Sequence, residues 1–238
     1  RESRSWNASK ERRGCLLGEI SVSGIGRLFR RDKKSQSYCA FCFESIIDSL
    51  GFIEALVWND ILCYKCRQSL DSGYRKSNKE WLTVHYFYEY RDEIKDAISR
   101  FKDLGDTYLA PLFFYPFNLR SFFFFHDYLI VCVPSTKKSL ERRGFNHTEL
   151  LAKTISIESV SNVLNHHGDL LQKEKSKRER MQISDDIILG NIELLQGRKV
   201  LLLDDVCTTG STLLACANLL KGHCLSVEAL CIALVSDF

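Results

Sequence analysis

The chain has 238 residues, of which 45% are hydrophobic and 26% charged, and its formal net charge is +3. This length and apolar content allow a full hydrophobic core, as one large domain or as one domain with a small module. The near balance of charge excludes any argument for a nucleic-acid partner from global charge alone. The most apolar window, residues 109–125, contains two prolines and an arginine, so we expect core helix and turn there and no membrane span.

The first 37 residues are polar and rich in Ser and Arg, which is typical of a poorly ordered segment. The starting residues RESRSWNASK lack the apolar core of a secretory signal, so we expect a cytoplasmic protein. In a reducing compartment, paired cysteines indicate metal binding before disulfides. We therefore predict a basic tail at 1–37, a four-cysteine module at 38–75 and a larger domain at 76–238.

Two CxxC pairs, Cys39 with Cys42 and Cys63 with Cys66, are separated by 20 residues. Each pair can place two thiolates on one turn, and two such turns complete a tetrahedron around Zn²⁺. A segment of this size has little core of its own, so metal binding would supply much of its folding free energy. We predict a structural zinc site, and the alternative is four unlinked buried thiols.

The remainder alternates apolar strand patterns with helical patterns. In chain order we predict a strand at 81–90, a helix at 91–106, a strand at 127–134, a helix at 147–156, a strand at 199–203, a helix at 211–221 and a strand at 224–235. Buried strands that alternate with helices indicate an α/β fold with a parallel sheet covered by helices.

The segment KVLLLDDVCTTGSTLLAC, residues 199–216, runs from an apolar strand through two adjacent acids into a loop of small residues. Ligands of open α/β sheets bind at the carboxyl ends of the strands. The backbone N–H groups of 208–212, with a helix N-terminus behind them, form a nest for a phosphate monoester. Asp204 and Asp205 could accept hydrogen bonds from vicinal sugar hydroxyls or attract Mg²⁺. Together these features describe a ribose 5-phosphate ligand.

Val200–Leu213 resembles the phosphoribosyl-pyrophosphate (PRPP) signature of type I phosphoribosyltransferases. The resemblance implies that Asp204 and Asp205 hold the ribose hydroxyls and are the candidate catalytic residues, and that the loop holds the 5-phosphate. If the chain is an enzyme, a nitrogenous base would displace pyrophosphate from PRPP with Mg²⁺ bridging the diphosphate. The predicted PRPP-binding residues are Asp204, Asp205, Val206, Cys207, Thr208, Thr209, Gly210, Ser211 and Thr212.

The combination of a cysteine module with this signature is similar to the ComF (ComFC-like) family of competence proteins. Further stretches agree with that family: Ile94-Lys95, Phe101-Lys102 and Gly105-Asp106; Val133-Pro134 followed by RRGFN at 142–146; and Gln172, Ser176, Glu179 and Arg180. The resemblance implies a type I phosphoribosyltransferase fold and work in natural transformation. It also implies single-stranded DNA and a ComFA-like helicase as partners in the cytoplasm.

Two basic segments have more than one interpretation. Lys137, Lys138, Arg142 and Arg143 follow a predicted strand end and could meet a diphosphate, or they could form an ordinary solvated loop. The segment KEKSKRER at 173–180, which includes Arg180, lies where related enzymes carry a mobile hood, and it could equally contact nucleic-acid phosphate. Trp58 and Tyr64 could stack on DNA bases or pack beside the metal.

Three functions remain open at this point. The first is a competence protein that handles incoming single-stranded DNA and binds PRPP. The second is an active phosphoribosyltransferase, although no pattern that we recognise in the sequence indicates a binding site for the accepting base. The third is a regulator that binds PRPP and changes its affinity for a partner without turnover.

Overall fold

The computed structural model describes residues 38–46, 62–70, 72–114, 124–155, 157–160, 162–166 and 187–235. The predicted tail at 1–37, Trp58 and the basic cluster with Arg180 lie outside the described residues. Expectations about these segments, and the two boundaries between the three predicted parts of the chain, stay predictions.

A mostly parallel sheet forms the centre of the described chain. Its strands are β1 (Arg75–Lys79), β2 (Leu82–Glu89), β3 (Tyr128–Cys132), β4 (Ser159–Val160), β7 (Lys199–Cys207) and β8 (Ser226–Leu234), and the spatial order is β1-β2-β8-β7-β3-β4. β1 pairs antiparallel with β2, and every other neighbouring pair in this sheet is parallel. The predicted α/β fold with a parallel sheet is therefore confirmed.

Helices connect these strands as the sequence pattern predicts. They are α1 (Tyr64–Ser69), α2 (Asp92–Asp103), α3 (Ala110–Phe113), α4 (Lys137–Arg143), α5 (His147–Thr154) and α6 (Ser211–Leu220). In α2, acidic residues occupy the first turn, where they complement the helix dipole. Its apolar residues Ile94, Ala97, Ile98 and Phe101 recur at helical spacing, and all four are buried.

The structure differs from the sequence expectation at two places that matter for function. β7 was expected to end at residue 203, but it continues through both acids to Cys207 and stays paired with β8. The basic segment after β3 was expected to be a loop, but it forms α4. Thr136 caps α4 by accepting a hydrogen bond from the Ser139 N–H, and Gly144 ends it in the left-handed conformation.

A small hairpin lies beside the main sheet. Its strands β5 (Leu164–His166) and β6 (Ile187–Leu189) pair antiparallel. Gly190 follows β6 and approaches the Asn162 backbone so closely that an added Cβ would lie 2.1 Å from the Asn162 carbonyl oxygen. Only glycine fits so close to this carbonyl group. The approach lies beside the hairpin, whose two strands flank residues 167–186 in the sequence.

Most strand residues of the main sheet are buried on both faces. The central strands contribute fully buried side chains such as Leu201, Leu202 and Leu230. Parallel sheets covered on both faces produce such continuous apolar runs. Among the described residues, no helix combines the length and apolar character needed to cross a bilayer.

Candidate functional site

The two adjacent acids lie near the carboxyl end of β7, at the edge of the sheet where α/β proteins bind their ligands. Successive side chains of a strand point to opposite faces, so neighbouring carboxylates enter different surroundings. Asp205 is 4% exposed, whereas Asp204 is half-buried. The pair therefore consists of one inward and one more accessible carboxylate.

Asp205 forms an ion pair with a residue of one helix and a hydrogen bond with a residue of another. Its Oδ2 lies 2.8 Å from Lys102 Nζ of α2 and 2.7 Å from His147 Nε2 of α5. Its Oδ1 accepts a hydrogen bond from the Val206 N–H at 2.6 Å. Burial alone would raise the pKa of Asp205, but the hydrogen bond from His147 and the charge of Lys102 outweigh burial and hold the pKa below its ordinary value. Asp205 is thus a buried anion that joins α2 and α5 to β7.

The orientation of His147 follows from a second contact. Arg143 Nη1 lies 3.0 Å from His147 Nδ1, and a guanidinium group can only donate hydrogen bonds. Nδ1 is therefore the acceptor, so Nε2 carries the hydrogen that is donated to Asp205. The Ser135 hydroxyl lies 3.3 Å from the same Nδ1 atom. This arrangement connects the basic helix α4 to the acid pair through one imidazole.

Asp204 has a different electrostatic environment. Burial, followed by the negative charge of Asp205, raises the pKa of Asp204 to about 7. Its Oδ1 accepts a hydrogen bond from the Asp205 N–H at 2.9 Å. A carboxylate that is costly to ionise and partly accessible suits a ligand that supplies hydroxyl donors or a cation.

The loop after β7 presents small polar groups beside this carboxylate. Thr208, Thr209, Ser211 and Thr212 are exposed, and the Thr209 and Ser211 hydroxyls lie 2.8 Å apart. Gly210 adopts a φ of 70° directly before α6, a conformation that other residues rarely adopt. Backbone N–H groups at the start of a helix are left without intrahelical partners and favour anions. Cys207 differs from the other predicted loop residues, because its side chain is buried in the core.

The four basic residues predicted to contact pyrophosphate fall into two groups. Lys137 and Lys138 are exposed in the first turn of α4. Arg142 forms an ion pair of 3.0 Å with Asp103, and Arg143 donates to His147. The Nε atom of Arg143 is buried and has no hydrogen-bond partner among the described residues. The two lysines are therefore more available to a ligand than the two arginines.

The four predicted zinc ligands come together in the structure. The sulfur atoms of Cys39, Cys42, Cys63 and Cys66 all lie within 4.8 Å of one another. Cys63 precedes α1, and its sulfur accepts from the Cys66 N–H at 3.5 Å, as in metal-binding turns. Burial, followed by the neighbouring thiols, raises the pKa of Cys66, so a thiolate there needs a compensating cation. This donor set fits tetrahedral Zn²⁺.

Comparison with known proteins agrees with this description. Residues 140–236 match the phosphoribosyl transferase domain family. The chain is 32% identical over 146 residues to competence protein ComFC of Bacillus subtilis (strain 168), covering 60% of each protein. It is also 26% identical over 161 residues to ComFC of Streptococcus pneumoniae (strain ATCC BAA-255 / R6), covering 67% of this chain and 68% of that protein.

The chain is similar to the ComFC proteins over about 60% of its length. The predicted resemblance to the ComF family is confirmed, and the chain spans less than two thirds of the length of the B. subtilis relative. Among solved structures, it is similar to an adenine phosphoribosyltransferase with a TM-score of 0.41 and 14% identity, over 71% of this chain and 89% of the other. The acid pair, the loop and α4 with α5 lie almost wholly within the matched domain, whereas Lys102 and the four cysteines precede it.

Sequence reasoning missed two residues of this site. Lys102 was noted only as part of a family motif, and His147 was not singled out. Both side chains reach Asp205 from helices distant in sequence. The available signal for Lys102 was its position directly after Phe101, which lies on the apolar face of the predicted helix. A charged residue beside the core usually has a partner of opposite charge.

The cysteine cluster makes a direct prediction for metal content. Purified ComFC-like protein should contain about one equivalent of Zn²⁺, and Cys63→Ser should lose the metal and lower the unfolding temperature. Cys224→Ser is a matched control, since Cys224 lies far along the chain beside β8 and outside the cluster. Metal analysis and thermal unfolding of the three proteins check this. A folded wild type without metal would contradict the zinc assignment.

Proposed function

We propose that the ComFC-like chain binds PRPP at the carboxyl end of β7 and handles incoming single-stranded DNA during natural competence. The observation that carries the ligand assignment is the exposed hydroxyl loop at the start of α6, directly after Asp204. Similarity to two competence proteins, ComFC of B. subtilis and of S. pneumoniae, supports the proposed biological setting. The proposed partner is a ComFA-like helicase, and the proposed compartment is the cytoplasm.

The ligand assignment rests on complementary chemistry at two neighbouring points. Loop N–H groups and hydroxyls are donors that suit a phosphate, and the Asp204 carboxylate is an acceptor that suits sugar hydroxyls. A ribose 5-phosphate carries both kinds of group. With PRPP bound, Mg²⁺ would neutralise the diphosphate, and Asp204 is the described carboxylate best placed to attract it.

Calorimetry with PRPP and Mg²⁺ tests this assignment. Wild-type protein should bind PRPP, and Ser211→Val should bind at least about tenfold more weakly because the charged ligand phosphate would lose a hydrogen-bond donor. Ser226→Val is the control, since Ser226 starts β8 at the opposite end of the sheet. Absence of binding by folded, zinc-loaded wild type would reject the PRPP proposal.

The DNA proposal rests on the exposed lysines of α4. Lys137 and Lys138 extend from the same edge of the sheet as the acid pair, and both are exposed. Lysines at such positions can neutralise phosphates and release counterions from a nucleic acid. Tyr64, which is 42% exposed beside the cysteine cluster, is available for base stacking.

Salt-dependent binding of a single-stranded oligonucleotide tests the DNA proposal. Affinity should fall steeply between roughly 50 and 200 mM salt, and Lys137→Ala with Lys138→Ala should reduce the salt slope by about 1.4, or about 0.7 per lost phosphate contact. Lys199→Ala is a matched control because its ammonium is already paired with Asp127 at 2.6 Å. Lack of binding even at low salt would reject the proposal.

An active phosphoribosyltransferase is the second candidate, supported by the family match over residues 140–236. Release of pyrophosphate from PRPP in the presence of a nitrogenous base would establish it. PRPP-dependent partner binding without pyrophosphate release would instead establish a regulator that does not turn over its ligand.

A further inference from the structure

The last turn of α2 contacts four different parts of the protein. Its residues 100–103 are consecutive, and their side chains leave the helix in different directions. Arg100 reaches the cysteine turn, Phe101 reaches the segment between α4 and α5, Lys102 reaches the acid pair, and Asp103 reaches α4. A single helical turn therefore lies between the proposed zinc site and the proposed ligand site.

Arg100 holds the backbone between two zinc-ligand candidates. Its Nη1 donates to the Phe41 carbonyl at 3.0 Å, and its Nη2 lies 3.4 Å from the Ala40 carbonyl. Both carbonyls belong to the Cys39–Cys42 turn. The guanidinium also lies 5.0 Å from the centre of the Phe43 ring and pairs with Asp106 at 2.8 Å. The Arg100 side chain is only 17% exposed, so its charge is oriented by these partners.

The opposite side of the same turn is tied to the acid pair. Lys102 Nζ lies 2.8 Å from Asp205 Oδ2, with the two side chains 24% and 6% exposed. A buried pair of this kind tolerates little displacement, because separating the charges leaves both poorly solvated. Movement of the turn would therefore change the position or the partners of Asp205.

Two further contacts join the turn to α4 and to the segment that follows α4. The Phe101 ring packs edge-on against the Phe145 ring, with centroids 5.8 Å apart. Asp103 accepts from Arg142 Nη2 at 3.0 Å. Through these contacts, a movement of residues 100–103 would also shift α4. Arg143, which follows Arg142 in α4, donates a hydrogen bond to His147.

We infer that residues 100–103 couple the two sites, so that occupancy of the cysteine cluster by Zn²⁺ and binding of a ribose phosphate ligand favour one another. Arg100 is the positioning residue of this coupling, and Lys102 transmits it to Asp205. The inference rests on the proposed zinc and PRPP sites. Because coupling free energies are reciprocal, PRPP must strengthen zinc binding by the same factor as zinc strengthens PRPP binding.

Equilibrium zinc release to a chelator tests this coupling in the intact zinc-loaded protein. A coloured zinc-selective chelator competes for the metal until equilibrium is reached, with and without PRPP and Mg²⁺. PRPP should lower the equilibrium constant of wild-type zinc release by at least about fivefold, the lower end of ordinary coupling factors. Arg100→Met should reduce that effect to less than about twofold, and Arg100→Lys, which keeps the charge without the planar fork, should give an intermediate value. Arg198→Met is the matched control, since Arg198 pairs with Glu158 on the surface at 2.7 Å.

A second measurement requires no ligand. The imidazole signals of His147 in a nitrogen NMR spectrum report its hydrogen bond to Asp205, and Arg100→Met should shift them while Arg198→Met should not. PRPP that binds in calorimetry without changing zinc release, together with unmoved His147 signals, would overturn the coupling. Absence of PRPP binding with shifted His147 signals would instead reject the proposed ligand and retain the connection between the two sites.

Discussion

Asp205→Asn should lower the free energy of unfolding by about 3–5 kcal/mol, whereas Asp204→Asn should leave it unchanged or raise it. Asp205 is the common partner of Lys102 and His147, and removing its charge leaves a partly buried ammonium without a counterion. For Asp204, the surroundings disfavour the ionised carboxylate, whereas for Asp205 they favour it. Its carboxylate is ionised at a cost, because burial and the charge of Asp205 both raise its pKa.

The two variants should separate just as clearly in ligand binding. Asp204→Asn should abolish measurable PRPP binding while the protein remains folded, since the accessible acceptor at the end of β7 is lost. Urea unfolding at neutral pH and calorimetry of the same preparations measure both effects. Equal losses of stability in the two variants would contradict the division of the pair into a structural and a ligand-binding carboxylate.

PRPP affinity should rise as the pH increases through about 7. The pKa of Asp204 is about 7 in the free protein, and only the ionised carboxylate accepts hydrogen bonds from two ribose hydroxyls or attracts Mg²⁺. Below this pH, ligand binding must first remove the proton. Affinity should therefore fall by up to about tenfold for each further pH unit.

The linked effects on stability have opposite signs for the two acids. The pKa of Asp204 is raised by folding, so its favourable contribution is complete below the unfolded pKa and is lost as the pH rises through about 7. The pKa of Asp205 is lowered by folding, so its contribution is present above the unfolded pKa and is lost in acid. At about pH 8, Asp204→Asn should accordingly be more stable than wild type.

Calorimetry from about pH 6 to about pH 8 checks the predicted binding profile. Thr208→Val is a suitable control, because it removes one loop hydroxyl and should weaken binding at every pH without moving the midpoint. A flat profile for the wild type would show that ionisation of Asp204 does not limit PRPP binding. Parallel unfolding measurements distinguish a true binding effect from loss of folded protein.

Much of this fold could be predicted from the sequence because its helices and strands depend on local sequence patterns. The helix pattern at 91–106 and the apolar runs that became β3, β7 and β8 all depend on neighbouring residues, and each formed the predicted element. The spacing of the two CxxC pairs likewise predicts that four thiolates can surround one metal ion. Their four sulfur atoms are brought together as that spacing predicts.

The sequence pattern could not reveal contacts between distant segments. Asp205 was interpreted with its neighbour as a ligand residue, because nothing in residues 199–216 indicates that Lys102 and His147 occupy its inner oxygen. Likewise, the end of β7 was placed too early because charged residues usually end a buried strand. Here an ion pair with Lys102 and a hydrogen bond from His147 make a buried carboxylate tolerable within the strand.

The outer strands of the main sheet have a consequence for self-association. β1 has the sequence RKSNK, with two of its five residues exposed, and β4 at the other border has only two residues. A charged border strand and a very short one are poor templates for adding a strand from another molecule. The two described border strands of the main sheet are therefore unfavourable places for edge-to-edge pairing between copies of this chain.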